Sequence, residues 1–402
     1  MEREGQSALL DRGDCGSHTK PTRVKKTQIC AAGIIVVSLI SAAMAALLAP
    51  SDVQTNPEPR QDIGVMGNSH PPIAIDGDAE FASQASSENW TGNGTEFNPY
   101  IIESLDIDAS TANGISIQYT TVYFVIRYCN LYGGGISHNG IALRCSHGLV
   151  ENNTCSTNMD GIRLDYSENV TVRNNTCNGN LFDVYLFFSD NNVLSENNCS
   201  GSGDYGIYLD TSGGNLVSGN TCHGKANYGI QVRYSGNNVV RNNTSYDNFD
   251  GIRLDSSNGN QVYGNVCSNN SWSGISILSA SYNRVWNNTL YHNKGSGDSY
   301  DESHIQAYDS GSNNSWNGTD GYGNWWSDWI TPDIVPPIGI VDSPYHIGGS
   351  AEANDSSPLT IPGVVLVPEY PELLIPIIGL TLIALLFGNM RNRRRPRKRK
   401  AV

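Results

Sequence analysis

Between residues 140 and 290 one pattern of apolar and polar positions returns again and again. The segments GIALRC, GIRLDY, DVYLFF, GIYLDT, GIQVRY, GIRLDS and GISILS put a branched apolar residue at 141, 162, 184, 207, 230, 252 and 275. The steps are 21, 22, 23, 23, 22 and 23 residues. Two positions on lies a second apolar column, Leu143, Leu164, Leu186, Leu209, Val232, Leu254 and Ile277. Alternation with period two marks a strand with one buried face. A second strand per repeat is predicted in VENNTC, VRNNTC, LSENNC, VSGNTC, VRNNTS, VYGNVC and VWNNTL. Its columns are Val150, Val172, Leu194, Val217, Val240, Val262 and Val285, then Asn153, Asn175, Asn197, Asn220, Asn243, Asn265 and Asn288.

Each repeat therefore reads as strand, turn, strand, turn, with no room for a helix. Such strands bury their apolar face by coiling and stacking on the next turn, at about 4.8 Å per coil. The predicted fold is an all-β, right-handed parallel β-helix. Asn suits its corners, because the short amide tolerates left-handed backbone and bonds to the Asn stacked above it. A leucine-rich solenoid has the same period but needs an L-x-x-L-x-L frame, which GNTCHGKANYGIQVRYS lacks.

An open terminal coil is a pairing edge, so caps are expected. IAIDGDAEF and GNGTEFNPYIIESLDID look like an N-terminal cap and first coils, which assigns 73–320 to the cap and repeats. A Trp/Pro-rich C-terminal cap is assigned to 321–362, with Trp316, Trp325, Trp326 and Trp329 placed to lid the core. An insertion at 295–302 stretches one repeat from Ile275 to Ile305 and should bulge as a loop.

Charge separates the ends from the middle. Of 25 Lys+Arg, six lie in 1–49 and eight in 391–402. The region between holds eleven, against 35 Asp+Glu, a formal charge of −24. A body so acidic repels phosphate backbones, which argues against nucleic acid as a partner. Residues 1–28 form a basic segment ahead of an uncharged run at 29–49, either an export signal or an uncleaved anchor. A linker at 50–72 follows. At the other end, a linker at 363–372 precedes a second apolar run, 373–390, read as a transmembrane helix, and a basic tail, 391–402. The positive-inside rule puts both basic ends in the cytoplasm before any processing, and residues 50 to about 370 outside the cell.

Two resemblances emerge from these motifs. FNPYIIESLDI, the GI-x-L and NNTC repeats, and the closing GNWWSDW with IVDSPYHI resemble NosD-type right-handed β-helix proteins and the related carbohydrate-binding and sugar-hydrolase repeats. The tail, with Pro368, Glu369, Tyr370 and Pro371 before an apolar run and an Arg cluster, is similar to archaeal surface proteins processed by archaeosortases. The first implies a copper-linked periplasmic role for some members. The second implies a membrane-held archaeal cell-surface protein.

The candidate chemistry sits on the outward face of the GI-x-L strand. One outward column reads Ala142, Arg163, Tyr185, Tyr208, Gln231, Arg253, Ser276, and the next Arg144, Asp165, Phe187, Asp210, Arg233, Asp255, Leu278. Aromatic rings beside paired charges are what sugar recognition uses, which nominates Arg163, Asp165, Tyr185, Phe187, Tyr205, Tyr208, Asp210, Arg233, Arg253 and Asp255. The competing reading is cross-coil neutralisation, Arg144 with Asp165 and Arg233 between Asp210 and Asp255. For catalysis the candidates are Asp250 with Arg253, and the equivalent Asp160 with Arg163. Copper lacks a His/Met cluster, and calcium has only Asp298, Asp301 and Glu302 in the inserted loop, which also read as a solvated acidic turn. Cys155, Cys177, Cys199, Cys222 and Cys267 share an inward column, as stacked thiols or as disulfides. Sequons outside the repeats nominate Asn89, Asn93 and Asn317 for glycosylation. The function expected is a membrane-anchored structural, adhesive or carbohydrate-binding solenoid with glycans or a surface polymer as partner. The alternatives are a polysaccharide lyase, hydrolase or epimerase, and a copper-site maturation accessory.

Overall fold

A computed structural model describes residues 68–329, 333–334 and 339–362. It is a parallel β-helix in which each repeat supplies three short strands to three sheets. An eleven-stranded sheet runs from Asn68–Ser69 to Trp325–Trp326, and a ten-stranded sheet from Ile73–Asp76 to Ala307–Asp309. A nine-stranded sheet runs from Tyr100–Glu103 to Arg284–Trp286. The two-strand repeat expected from the sequence is thus corrected to three. The NNTC segment crosses a corner: Thr171–Arg173 ends at Asn174, whose φ is +56°, and Thr176–Asn178 begins a new strand. Val172 and Cys177 both point inward across that corner, so the apolar pattern does not announce the bend.

Register follows the columns. Ile162 pairs with Val184, then Ile207, Ile230, Ile252 and Ile275. The next partner is Ala307 rather than Ile305, which corrects the length of the inserted coil to 32 residues. Ile305 also turns inward, just ahead of the corner residue Gln306, and so mimics the column. Cys155, Cys177, Cys199, Cys222, Ser245, Cys267 and Leu290 stack in register in the eleven-stranded sheet. All seven cysteines among the described residues are buried, unbridged thiols. Burial pushes Cys129 up to about 11 and Cys145 up to about 12, so neither offers a thiolate.

Three ladders of side-chain amides hold the corners. In the first, the backbone N–H of Cys129 donates to Oδ1 of Asn153, whose own N–H donates to Asn175. The relay continues through Asn197, Asn220, Asn243, Asn265 and Asn288 to Asn324. The left-handed turn falls to the residue before, such as Asn152, Asn174 and Glu196. A second ladder runs from Asn192 through Asn215, Asn238, Asn260 and Asn283 to Asn314. A third links Asn248, Asn270, Asn293 and Gln306. Every ladder donates toward the C-terminal end, and each stops on a buried aspartate. Asn324 donates to Asp355, Asn314 to Asp309, and Gln306 to Asp328. An ionised carboxylate accepts and donates nothing, so it can end such a relay.

At the C-terminal end of the core, Trp326 stacks on Tyr345 at 4.0 Å, and Trp316 lies 6.1 Å from Trp326. At the other end a helix, Asp78–Ser87, sinks Phe81 against Tyr100 and Phe124. No helical period is legible in that segment. Asp78 fastens that helix to the coil below by accepting from Thr120 Oγ1 and Thr121 N, both at 2.7 Å. Among the described residues no helix is long and apolar enough to cross a membrane. The runs 29–49 and 373–390, with their basic flanks, lie outside the described residues.

Candidate ligand-binding face

The motif DGIRLD occurs twice, at Asp160–Asp165 and Asp250–Asp255, and the two copies bracket three strands rich in aromatic residues. In register between Asp160 and Asp250 stand Phe182, Tyr205 and Tyr228. Beside them lie Tyr185 and Tyr208, stacked at 5.0 Å. Each end of the block is closed by an arginine, Arg163 at 4.6 Å over the Tyr185 ring and Arg253 at 4.7 Å over Tyr228.

Each arginine also seals an aspartate. Arg163 Nη1 lies 3.0 Å from Asp160 Oδ2, while its Nε grips Asp165 at 2.8 Å. Arg253 Nη1 lies 3.2 Å from Asp250 Oδ2. The two aspartates differ in what else they meet. Asp250 accepts from Ser276 Oγ at 2.7 Å and from Ser273 N. Asp160 faces rings in the following coil, and its buried Oδ1 has no hydrogen-bond partner. Burial accordingly pushes the Asp160 carboxyl up to about 6, against the pull of Arg163.

A row of rings continues along the sheet edge: Phe182, Tyr205, Tyr228, Phe249 and Trp272, with successive centroids 4.9, 5.6, 6.3 and 5.8 Å apart. Lys294 Nζ sits 5.1 Å from the Trp272 ring. Concavities lie at both ends of this row, the first of them mainly polar. One, of about 310 Å³, is lined by Asn113, Gln118, Asn139, Arg144, Arg163, Asp165, Tyr166 and Phe187. Its floor exists because Ala142 stands in the column that Arg163 and Tyr185 fill in the next coils. The other, of about 430 Å³, is lined by Trp272, Lys294, Glu302, Tyr308 and His346.

Of the residues nominated from the sequence, Arg163, Asp165 and Phe187 line the first concavity. Tyr185 and Tyr205 are half-buried within the aromatic block, and Tyr208 is only 6% exposed. The block is therefore a self-packed ridge. The cross-coil charge pairing also needs correction. Arg144 packs on the Tyr119 and Tyr166 rings, not Asp165. Arg233 donates to the phenol oxygens of Tyr208 and Tyr234 at 3.4 and 3.2 Å. Asp210 accepts from Tyr208 and Thr211, and Asp255 from Ser256. Asp250 and Arg253, the first catalytic candidates, pair with each other, while Arg253 Nε is buried without a hydrogen-bond partner.

The sequence reading missed Phe182 and Tyr228, although both stand in the Tyr205 column. It also missed Asn113, Gln118 and Asn139, which lie in coils before the repeat becomes regular.

Calcium gains no cage in the inserted loop. Asp298 faces His292 at 3.3 Å, and Asp301 accepts from Ser303 N and His304. Glu302 lines the second concavity instead. Asn89 and Asn93 are exposed, whereas the Asn317 amide nitrogen is engaged with buried Asp355 at 3.3 Å.

A regular three-sheet coil with this asparagine-cornered core defines a parallel β-helix protein. The family model for NosD, described as a periplasmic copper-binding protein, matches residues 73–330, and the chain belongs to that family. No curated protein sequence matches the chain. Among solved structures, it is similar to the enzymatically active domain of tailspike protein 2 from bacteriophage CBA120, at 12% identity and a TM-score of 0.45. That match covers 69% of this chain and 50% of the tailspike domain, so the chain spans half of its length. The A-module of an Azotobacter vinelandii mannuronan C-5 epimerase matches at 15% identity, covering 66% of this chain and 90% of that one, with a TM-score of 0.39. An alginate lyase from Paenibacillus sp. matches at 14% identity, covering 64% and 97%, with a TM-score of 0.34.

The family description implies copper, and the donor set among the described residues does not fit it. No three His, Cys, Asp or Glu side chains converge there on one point. The thiols are sealed in the core, and His147 and His223 are stacked on Tyr123 and Tyr246. A soft copper site needs clustered, reachable sulfur and imidazole.

Proposed function

We propose that this protein is a surface-held solenoid that binds a linear polysaccharide along the outer face of its ten-stranded sheet, without cleaving it. One observation carries this reading: an aromatic row on one rigid face, with a concavity at each end. Ring edges and faces offer apolar contact to sugar rings, while amides, Arg144, Asp165, Lys294 and His346 supply hydroxyl partners. A regular sheet holds these groups in place before the ligand arrives, so little ordering entropy opposes binding. The chain would be held at the membrane by the run at 373–390, with the solenoid outside; the basic tail at 391–402 supports that orientation.

A second reading, polysaccharide cleavage or epimerisation, is favoured by Asp160 alone, whose carboxyl rests near neutrality beside the first concavity. Its seal beneath Arg163 argues for a supporting role. The two readings part in one experiment. The purified chain is screened on a glycan array while released reducing ends and unsaturated uronates are assayed on every ligand that binds. Retained binding without product supports the first reading. Product that vanishes in Asp160→Asn supports the second, and absence of any glycan binding overturns both.

A further inference from the structure

The third amide ladder is broken where the chain carries Ser-Gly-Ser-Gly-Asp at 200–204. Asn158 donates to Asn180, but the next coil has Gly203 near that corner, and the coil after has Lys225 in place of an asparagine. Gly203 runs so close to the coil below that a Cβ there would lie 1.8 Å from the Asn180 carbonyl oxygen. No side chain fills the gap from that coil. Lys225 does so from above. Its backbone N–H donates to Asn248, resuming the ladder, while its side chain reaches down two coils to Asp183.

Both side chains of this pair are fully buried. Lys225 Nζ donates to the Ser200 carbonyl at 2.8 Å and contacts Asp183 Oδ2. Asn180 Nδ2 donates to the other carboxyl oxygen, Oδ1, at 2.9 Å. Burial pushes the Asp183 carboxyl up to about 7, outweighing Lys225 and Asn180. A buried ion pair recovers its desolvation cost poorly, and here each ion has few partners to help. One proton passed from Nζ to the touching Oδ2 is all that sets an amine lone pair against a carboxylic acid. That is a nucleophile beside its electrophile, in a site closed to water.

We propose that Lys225 and Asp183 condense to an isopeptide bond that staples two non-adjacent coils of the solenoid. Nζ attacks Asp183 Cγ, and charge develops on Oδ1, where Asn180 Nδ2 is already aimed. The Cγ–Oδ2 bond then breaks, and Oδ2 leaves as water with two hydrogens that began on the ammonium. The amide keeps one N–H, which the Ser200 carbonyl accepts. Ammonium plus carboxylate gives amide plus water, with no oxidant, reductant or cofactor. The fold supplies what free lysine and aspartate lack in solution, a fixed approach at very high effective concentration.

The test is peptide mapping of the intact, full-length protein, purified folded and then denatured and digested. The expected result is one branched peptide joining residues 183 and 225, about 18 Da lighter than the two linear peptides together. Lys225→Arg keeps the charge but cannot form this bond, and should return the peptides separately. Wild-type protein decides the matter without relying on that variant. Recovery of most 183 and 225 peptides as separate linear species would overturn the proposal, and recovery of most as the branched species would establish it.

Discussion

Oδ2 of Asp355 accepts the backbone N–H of Asn324 at 2.6 Å and the indole Nε1 of Trp326 at 2.9 Å. One carboxylate thus ends the longest amide ladder and anchors the largest ring in the stack that closes the core. Its other oxygen takes Asn317 Nδ2 and Ser357 N.

Asp355→Ala should therefore destabilise by about 3–5 kcal/mol, because several buried donors lose their acceptor at once. Urea unfolding followed by Trp fluorescence measures it directly. A loss below about 1 kcal/mol would mean that the ladder end is satisfied some other way.

Acid should stabilise this protein. Asp160 and Asp355 are brought to about 6 by burial, and burial also raises Asp250 and Asp328. A group that binds its proton more tightly in the fold adds stability that is complete below its unfolded value, about 4, and is lost as pH rises through the folded value. His223, held low by burial, opposes this inside the same window, and Asp78, held low by Thr120 and Thr121, opposes it only below the window. The raised aspartates outnumber them. Calorimetry should show a Tm several degrees higher at about pH 5 than at about pH 8. A flat or reversed profile would sink the assignment.

Inside the coil, Val217→Asp places a carboxyl in a column where Leu194, Val217 and Val240 are all fully buried. Asn220→Ala removes the acceptor for Asn197 and the donor to the Leu194 carbonyl. Each should cost about 3 kcal/mol or more, by different routes: an unpaired buried charge, and a broken ladder. A Tm for either variant within a degree or two of wild type would show that its column does not carry the load described.

Thiol counting separates buried fillers from bridges. Alkylation of the native protein should leave the seven thiols between 129 and 267 unlabelled, and unfolding without reductant should expose all seven. Unlabelled cysteines in the unfolded, unreduced chain would reveal disulfides.

For the ligand face, Arg144→Ala with Asp165→Ala should abolish glycan binding and move the Tm by only a few degrees. Tyr208→Ala, by contrast, should lower stability by about 3 kcal/mol, because that ring is buried in the aromatic block. Undiminished binding in the Arg144/Asp165 variant would place the site elsewhere.

The coil was legible because its signal is repetition: Ile162, Val184, Ile207 and Ile230 announce their own register, and a wrong register would expose the whole column. The corner inside NNTC was hidden because Val172 and Cys177 face inward on both sides of it. The site was harder to read for a related reason. Outward residues such as Arg233 and Arg144 stand beside charges in neighbouring coils, but reach diagonally to tyrosine oxygens and rings. The first concavity depends on an absence, the small Ala142, and on Asn113 and Asn139, where the repeat is least regular. Lys225 breaks its ladder's pattern, yet only three-dimensional placement shows it descending to Asp183.

Because every ladder runs one way, the two ends of the solenoid are chemically unlike. Cross-β filaments lengthen when an arriving copy continues the hydrogen bonds of the last one. At the C-terminal end of this protein the outgoing donors are already consumed by Asp309, Asp328 and Asp355, and rings cover the core behind them. A second molecule arriving there meets ladder ends whose donors are already spent, so three carboxyl groups deny it a continuation of the amide relay.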